Sequence, residues 1–163
     1  IKVFGTWRIR NSAIIVPSGT ADPAILKNTK YVGALSKNED RIPVIQKYIL
    51  LLITKGDLFE QETKISRSGL SKYFKYIEIV SEKDESTYSS ILKRHDIDPK
   101  VFLMVGNSLR SDILPVLKIG GHALHIPYKI TWEHEMEHPE INPKDFTQIK
   151  HLGLLKSWLE RMS

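Results

Sequence analysis

Short apolar runs alternate with longer amphipathic segments from residue 48 onward. The run Tyr48–Thr54 is continuously apolar and is followed by Lys-Gly-Asp, which is typical of a strand buried on both faces of a parallel sheet. Further strands are predicted at Tyr76–Val80, Val101–Val105 and His122–Ile126. Because helix-length segments separate them, we expect right-handed crossovers and a Rossmann-like α/β domain, with helices on both faces of a parallel sheet.

Capping residues and amphipathic spacing predict the helices. Asp57 can cap a helix that runs to about residue 68 and ends at Gly69, and Ser81 can cap a turn or the entry to the next helix. The other predicted helices are Thr87–His95, Asp112–Ile119 and a closing amphipathic helix at His151–Met162.

The N-terminal part of the chain has a weaker pattern than the rest. Short strands are predicted at Ile1–Gly5 and Ala13–Val16, and Pro23 could open a helix. We interpret the chain as a single domain, because its length suits one hydrophobic core. Residues 1–47 are its atypical N-terminal part and residues 48–132 its core. Residues 133–163 are its C-terminal segment with the closing helix.

Composition removes several classes of partner. The net charge of +5 is spread over scattered lysines without a dense basic run, so we expect no nucleic-acid partner. No apolar run approaches the ~20 residues that span a bilayer, so we expect no membrane partner either. The chain has no cysteine, which excludes disulfides and thiolate catalysis and fits a cytoplasmic protein.

Polar residues follow the predicted strands, at the edge of a parallel sheet where functional groups gather. Thr54, Lys55 and Gly56 place a hydroxyl and backbone N–H groups at a helix start, which suits an anion such as phosphate. Lys83 follows the next strand and could neutralise a phosphoryl group. Alternatively, Thr54 bonds its own turn, and Lys83 is a surface lysine paired with a neighbouring carboxylate.

The segment Gly106-Asn-Ser-Leu-Arg-Ser-Asp112 follows the strand at Val101–Val105. Asn107, Ser108 and Asp112 bring hard oxygen donors to one loop, and such donors suit Mg²⁺. The alternative is that Asp112 only occupies the first turn of a helix, where the helix dipole favours an acid.

This ordered set resembles the haloacid dehalogenase superfamily, whose motifs run from strand-Thr/Ser through Lys to strand-Gly-Asp/Asn-Ser-x-x-x-Asp. The match covers residues 48–132. The resemblance implies that Thr54 contacts the substrate phosphate and that Lys83 stabilises a phosphorylated intermediate. It also implies that Asp112 and Asn107 hold Mg²⁺ for hydrolysis of a small phosphomonoester.

The superfamily's first motif, a strand followed by the Asp-x-Asp nucleophile and acid/base pair, is not found. Ile1–Gly5 is followed by Thr-Trp, Ala13–Val16 by Pro-Ser-Gly-Thr, and Asp22 is the nearest acid. Three explanations stay open: an inactive relative that binds ligands or partners, an N-terminal half altered relative to an active parent, or an unconventional nucleophile.

The segment before Tyr48 is also too short for the full cap domain that relatives usually insert, so a cap is expected to be absent or strongly reduced. Specificity in this family lies largely in the cap. Its reduction would leave the site open to large substrates, or leave apolar surface for a second subunit, so a homodimer is one expectation.

A separate motif permits a zinc peptidase as a minor alternative. His134-Glu135-Met-Glu-His138 matches H-E-x-x-H, with Glu160 as a candidate third ligand. Pro139 limits any helix there and the segment is dense in charge, so a solvated irregular segment is the simpler interpretation.

Overall fold

A computed structural model describes three parts of the chain, residues 13–15, 48–127 and 146–162. Six strands within these ranges form one sheet, and every neighbouring pair is parallel. The strands are β1 (Ala13–Ile15), β2 (Ile49–Lys55), β3 (Tyr76–Val80), β4 (Phe102–Gly106), β5 (His122–His125) and β6 (Thr147–Gln148). The predicted parallel sheet is therefore confirmed.

The helices connect the strands in the alternating order that parallel pairing requires. The α-helices are α1 (Leu58–Ser68), α2 (Glu85–Arg94), α3 (Leu114–Lys118) and α4 (Leu155–Met162). Short 3₁₀ turns lie at Ser71–Tyr73, Pro99–Val101 and Leu152–Leu154, and a π-helical turn lies at Leu109–Ile113.

The strand order is β3-β2-β1-β4-β5-β6, which places β1 inside the sheet. Ala13 pairs with Ile49 of β2 on one side and with Phe102 of β4 on the other. Residues that follow β2, β3 and β4 therefore leave the sheet at the same edge, because parallel strands share their carboxyl ends.

Helices cover both faces of the sheet, as predicted. Successive strand residues point to opposite faces, so Leu51 and Leu50 enter different clusters. One cluster joins β2 and β4 to α2 and α3: Leu51, Ile53, Phe102, Met104, Tyr88, Ile91, Leu92 and Val116. The other joins β2, β4 and β5 to α4: Leu50, Leu103, Val105, Leu124, Trp158 and Leu159. The closing amphipathic helix is thus confirmed, with a 3₁₀ first turn.

α1 has the ends that the sequence predicts. The Asp57 side chain accepts a hydrogen bond from the Glu60 N–H at 3.0 Å, and Gly69 follows the last helical residue. The predicted bounds of this helix are therefore confirmed, since both signals come from the local sequence.

α2 is capped by a different residue from the predicted one. The prediction that Ser81 caps this entry is wrong: the Asp84 carboxylate accepts from the Thr87 N–H at 2.8 Å and from the Ser86 hydroxyl at 2.8 Å. Asp84 lies directly before the first helical residue, which is the position a capping side chain needs.

The helix predicted over Asp112–Ile119 is α-helical only from Leu114 to Lys118. The chain forms the π-helical turn at Leu109–Ile113 and then continues as α3. The Ser108 carbonyl accepts from the N–H groups of Asp112 and Ile113, at 2.9 and 3.2 Å, which widens the turn. Such π turns often lie at functional sites.

Several predictions fall on residues outside the described ranges. These are the strand at Ile1–Gly5, the helix from Pro23, the size of any cap, and the H-E-x-x-H segment. Among the residues that the structure does describe, no helix has the length and apolar character needed to cross a membrane.

Candidate active site at the carboxyl edge of the sheet

Four of the predicted site residues are buried polar side chains that lie where strands end. Thr54 is near the end of β2, Lys83 follows β3, and Asn107 directly follows β4. Thr54 and Asp112 are each 2% exposed, Lys83 is 7% and Asn107 is 8%. Polar groups are rarely buried this deeply without a specific reason.

Lys83 and Asp112 form a buried ion pair. The Lys83 ammonium donates to Asp112 Oδ1 at 2.7 Å, and both side chains are at most 3% exposed. The N–H groups of Asn107 and Ser108 each donate to Asp112 Oδ2 at 3.1 Å. One carboxylate therefore joins the segment after β3 to the loop after β4.

Gly106 makes room for this carboxylate. A Cβ atom on Gly106 would lie 2.3 Å from Asp112 Cβ and 2.4 Å from its Oδ2. No side chain fits at that distance, so glycine is required because the Asp112 side chain crosses directly over the backbone.

Asn107 presents the least satisfied polar atom of the site. Its Oδ1 is buried and has no hydrogen-bond partner in the described structure. An unpaired buried oxygen calls for an explanation, and a role as a ligand of an ion is one. Amide and carboxylate oxygens are ligands that Mg²⁺ accepts, usually with several waters retained. Asn107 therefore fits a metal ligand better than Asp112, whose two oxygens already accept three hydrogen bonds.

His125 holds the backbone of Asn107 in place. Its Nε2 lies 3.0 Å from the Asn107 carbonyl oxygen, and its Nδ1 lies 3.0 Å from Gln148 Oε1. The ring also meets Phe146 edge-on. The sequence predicted only that His125 lies near a strand end, because these contacts join residues distant in the chain.

Thr54 is held by a residue that the sequence did not single out. Its hydroxyl lies 2.8 Å from Gln61 Oε1, in a buried contact. Gln61 is 5% exposed, and a Cβ atom on Gly56 would lie 2.8 Å from Gln61 Nε2. The side-chain amide of Gln61 is thus packed beneath the loop that follows β2.

Lys55 and Gly56 already have partners. The Lys55 ammonium pairs with Glu82 at 2.5 Å, in a contact that is largely exposed. The Gly56 N–H donates to the Val80 carbonyl at 3.0 Å and so extends the β2–β3 pairing. Their predicted contacts with phosphate stay predictions, and both would need these bonds to be exchanged or shared.

Tyr88 of α2 supports the π-helical turn. Its hydroxyl donates to the Ser111 carbonyl at 2.9 Å, which satisfies one of the carbonyls that the wide turn leaves over. Burial, and to a lesser extent the charge of Asp112, raise the pKa of Tyr88 far above its ordinary value. The Tyr88 hydroxyl therefore stays protonated and can donate its hydrogen bond to the Ser111 carbonyl.

A cleft of about 650 Å³ opens beside the Lys83–Asp112 pair, between the start of α2 and the π-helical turn. Its charged lining residues are Lys55, Glu82, Lys83, Asp84, Glu85, Arg110 and Lys118. Two of these cations are paired at the rim, Lys55 with Glu82 and Lys118 with Glu85. Lys83 lines the cleft, so a molecule in it would lie against the predicted phosphate site.

Comparisons with known proteins agree with the observed fold. No protein-family model matches the sequence. A haloacid-dehalogenase-like hydrolase from Xanthomonas campestris is 39% identical, with a TM-score of 0.62, over 74% of this chain and 50% of that one. Glyceraldehyde 3-phosphate phosphatase from Pyrococcus furiosus is 26% identical over 110 residues, which are 64% of this chain and 46% of that protein.

The chain therefore resembles haloacid-dehalogenase-like hydrolases in its fold and, over part of its length, in its sequence. It spans about half the length of these two relatives. A third protein, a HAD-hydrolase from Bacillus subtilis, has a TM-score of 0.56 at 20% identity, over 85% of this chain and 68% of that one. Its structure is bound to magnesium.

The strand order of the sheet shows where in the sequence the Asp-x-Asp motif would be expected. β1 lies between β2 and β4, with Ile15 opposite Met104, so the carboxyl end of β1 lies at the same edge of the sheet as that of β4. In the sequence the residues after β1 are Val-Pro-Ser-Gly-Thr, and Asp22 is the first acid. They lie outside the described residues, as do His134, Glu135 and His138 of the zinc alternative.

The described part of this haloacid-dehalogenase-like chain contains no group of three His, Cys, Asp or Glu side chains placed to hold a metal ion. The predicted Asn107 and Asp112 site has only one acid, so a metal ion there would need water or substrate oxygens to complete its ligands.

Proposed function

We propose that this chain is a Mg²⁺-dependent phosphomonoester hydrolase that acts on a small phosphorylated molecule. The observation that carries the proposal is the buried Lys83–Asp112 pair beside the unpaired Asn107 Oδ1, at the edge of the sheet where Thr54 also lies. A cation, a hydroxyl and an unpaired oxygen at one sheet edge suit a phosphate ester with its metal.

Each residue has a role that follows from its contacts. Thr54 donates its hydroxyl proton to a phosphate oxygen. Lys83, held by Asp112, has further N–H donors and offsets the negative charge on the phosphoryl group. Asn107 Oδ1 and, on its remaining lone pairs, Asp112 would hold Mg²⁺, which offsets charge repulsion and orients the phosphate.

The neighbouring cleft would receive the leaving group. It has room for a small molecule and is lined by Ser111, Leu114 and Pro115 as well as by charged side chains. Lys55 and Gly56 stay with the proposal as residues that shape the loop around the phosphate, since both are already bonded within it. A cytoplasmic location and a homodimer stay predictions of the sequence.

A second candidate function is a non-catalytic binding protein on the same fold. The observation that favours it is the sequence after β1, where a nucleophilic aspartate would be expected and Val-Pro-Ser-Gly-Thr is found. Such a protein would use the same Thr54, Lys83 and Asn107 contacts to hold a phosphorylated ligand without hydrolysing it.

Hydrolysis of an aryl phosphate with and without Mg²⁺ separates the two functions. The hydrolase should turn over only with Mg²⁺, and Asp112→Asn should lower turnover about 10- to 100-fold because it disturbs both Lys83 and the Asn107 loop. Asp98→Asn is the control, since Asp98 is exposed and caps a remote 3₁₀ turn. Phosphate binding without turnover at any Mg²⁺ concentration would favour the non-catalytic protein.

A further inference from the structure

The burial pattern of α1 is the reverse of what packing alone would give. Leu58 and Phe59 in its first turn are 59% and 78% exposed, whereas Gln61 is 5% exposed. Gln61 is the buried residue of this helix. A glutamine is a poor choice for filling apolar space, so its burial points to its hydrogen bonds rather than to its volume.

The Gln61 side chain bonds the hydroxyl that the proposed hydrolase would present to phosphate. Thr54 Oγ1 and Gln61 Oε1 are 2.8 Å apart, and the Thr54 hydroxyl donates its hydrogen bond to Gln61. A hydroxyl has one proton. While the Thr54 hydroxyl donates its hydrogen bond to Gln61, it presents only lone pairs to a bound phosphate. These lone pairs repel the phosphate oxygens.

The glutamine amide can reverse this arrangement without moving the helix. Its oxygen accepts and its NH₂ group donates, and the two ends have nearly the same shape. If the Gln61 side-chain amide rotated by half a turn, its NH₂ group would donate a hydrogen bond to Thr54 Oγ1. The Thr54 hydroxyl would then be able to donate its own hydrogen bond to the ligand. Gly56 leaves the space for either end of the amide, which a Cβ atom would fill at 2.8 Å.

We infer that Gln61 is a positioning residue that sets the direction of the Thr54 hydroxyl proton. With phosphate bound, Gln61 Nε2 donates to Thr54 Oγ1, and Thr54 donates to the phosphate. Glutamate at this position would have the same shape, yet its ionised carboxylate only accepts, so it would keep the Thr54 proton and add charge beside the phosphate. The inference rests on the proposed phosphate site at Thr54.

Binding of inorganic phosphate to the full chain with Mg²⁺, measured by calorimetry, tests the inference without requiring turnover. Gln61→Glu should weaken phosphate binding about tenfold or more at pH 8, because it combines a lost donor with an added charge. The loss relative to wild type should shrink as the pH is lowered and the buried carboxyl takes up a proton. Gln61→Met should weaken binding less than Gln61→Glu and without this pH dependence.

Two controls keep the test decisive. Ser66→Glu adds the same charge at an exposed position of α1 and should bind phosphate like wild type. In a Thr54→Val background, Gln61→Met should have no further effect on phosphate affinity, because the hydroxyl that Gln61 positions is gone. The comparison in the Thr54→Val background also tests the positioning role of Gln61 if the Gln61→Glu variant does not fold.

The outcomes separate the inference from the proposed function. Wild-type phosphate binding that Thr54→Val weakens, together with unchanged binding in both Gln61 variants, would overturn the positioning role alone. A further loss on adding Gln61→Met to Thr54→Val would overturn it too, since Gln61 would then act independently of Thr54. A wild-type chain that binds no phosphate overturns the inference and the proposed function together.

Discussion

Single residues at the carboxyl edge of the sheet are held by specific hydrogen bonds and an ion pair rather than by apolar packing. Asp112 accepts from Lys83 and from two backbone N–H groups, and Gly106 leaves the space in which it does so. A buried ion pair of this kind contributes little net stability, but loss of one partner leaves the other charge without compensation. Asp112 therefore couples the stability of the core to the geometry of the site.

Replacement of Lys83 should reveal this coupling. Lys83→Met should lower the free energy of unfolding by about 3 kcal/mol or more, because the Asp112 carboxylate stays buried without its cation. Urea unfolding measures the loss. Lys118→Met is the control: its pair with Glu85 is more than half exposed on both sides, so the change should be below about 1 kcal/mol. Equal losses for the two variants would contradict the account.

Much of the site was readable from single residues, for a physical reason. Thr54 lies near the end of β2, Lys83 and Asn107 follow β3 and β4, and the carboxyl ends of parallel strands gather functional groups. Gln61 and His125 were not readable in this way. Their roles depend on contacts with Thr54 and Asn107 across the fold, and no local pattern marks a buried polar side chain in advance.

Elements were predicted best where the signal is local. The strands are nearly continuous apolar runs because both faces of the sheet are covered, and α1 carries its own cap and stop. The π-helical turn could not be predicted from spacing. It forms because Asp112 turns inward to meet Lys83 and because Tyr88 satisfies the Ser111 carbonyl, which are both tertiary contacts.

The start of α2 gives a pH-dependent test at the scale of an element. The Thr87 N–H, followed by the Ser86 hydroxyl, holds the pKa of Asp84 below its ordinary value of 3.8. Because folding lowers this pKa, the stabilising contribution is present above 3.8 and is lost as the pH falls through the lower folded value. Asp84→Ala should therefore lower the melting temperature at neutral pH, and the difference from wild type should fade in acid.

Thermal unfolding followed by circular dichroism measures this difference at each pH. Ser81→Ala is the matched control, since Ser81 is exposed and does not cap the helix. It should melt like wild type throughout. An Asp84→Ala deficit that persisted unchanged below pH 3 would show that the side chain stabilises the protein by something other than its charge.

The whole molecule depends on α4 to complete one face of the sheet. Trp158 and Leu159 pack against Leu103, Val105 and Leu124, although they come from the far end of the described chain. The helix closes a cluster that would otherwise face solvent, and burial of such side chains is the main favourable term in folding.

Leucine truncations on this segment should differ sharply. Leu159→Ala should lower the free energy of unfolding by about 2–5 kcal/mol, because Leu159 is 2% exposed within the cluster. Leu154→Ala, at a position that is 37% exposed, should cost well under half as much. Chemical denaturation of the two variants measures the contrast. Similar losses would mean that α4 does not close the core as described.

Three strand ends should form one site for phosphate and Mg²⁺. Amide resonances of the full chain, followed by NMR during a Mg²⁺ titration in the presence of inorganic phosphate, test it most directly. The account predicts saturable shifts at Thr54, at Lys83 and at Asn107 and Ser108 with a common affinity, and their loss in Asp112→Asn. Shifts confined to one strand end, or different affinities at the three ends, would contradict it.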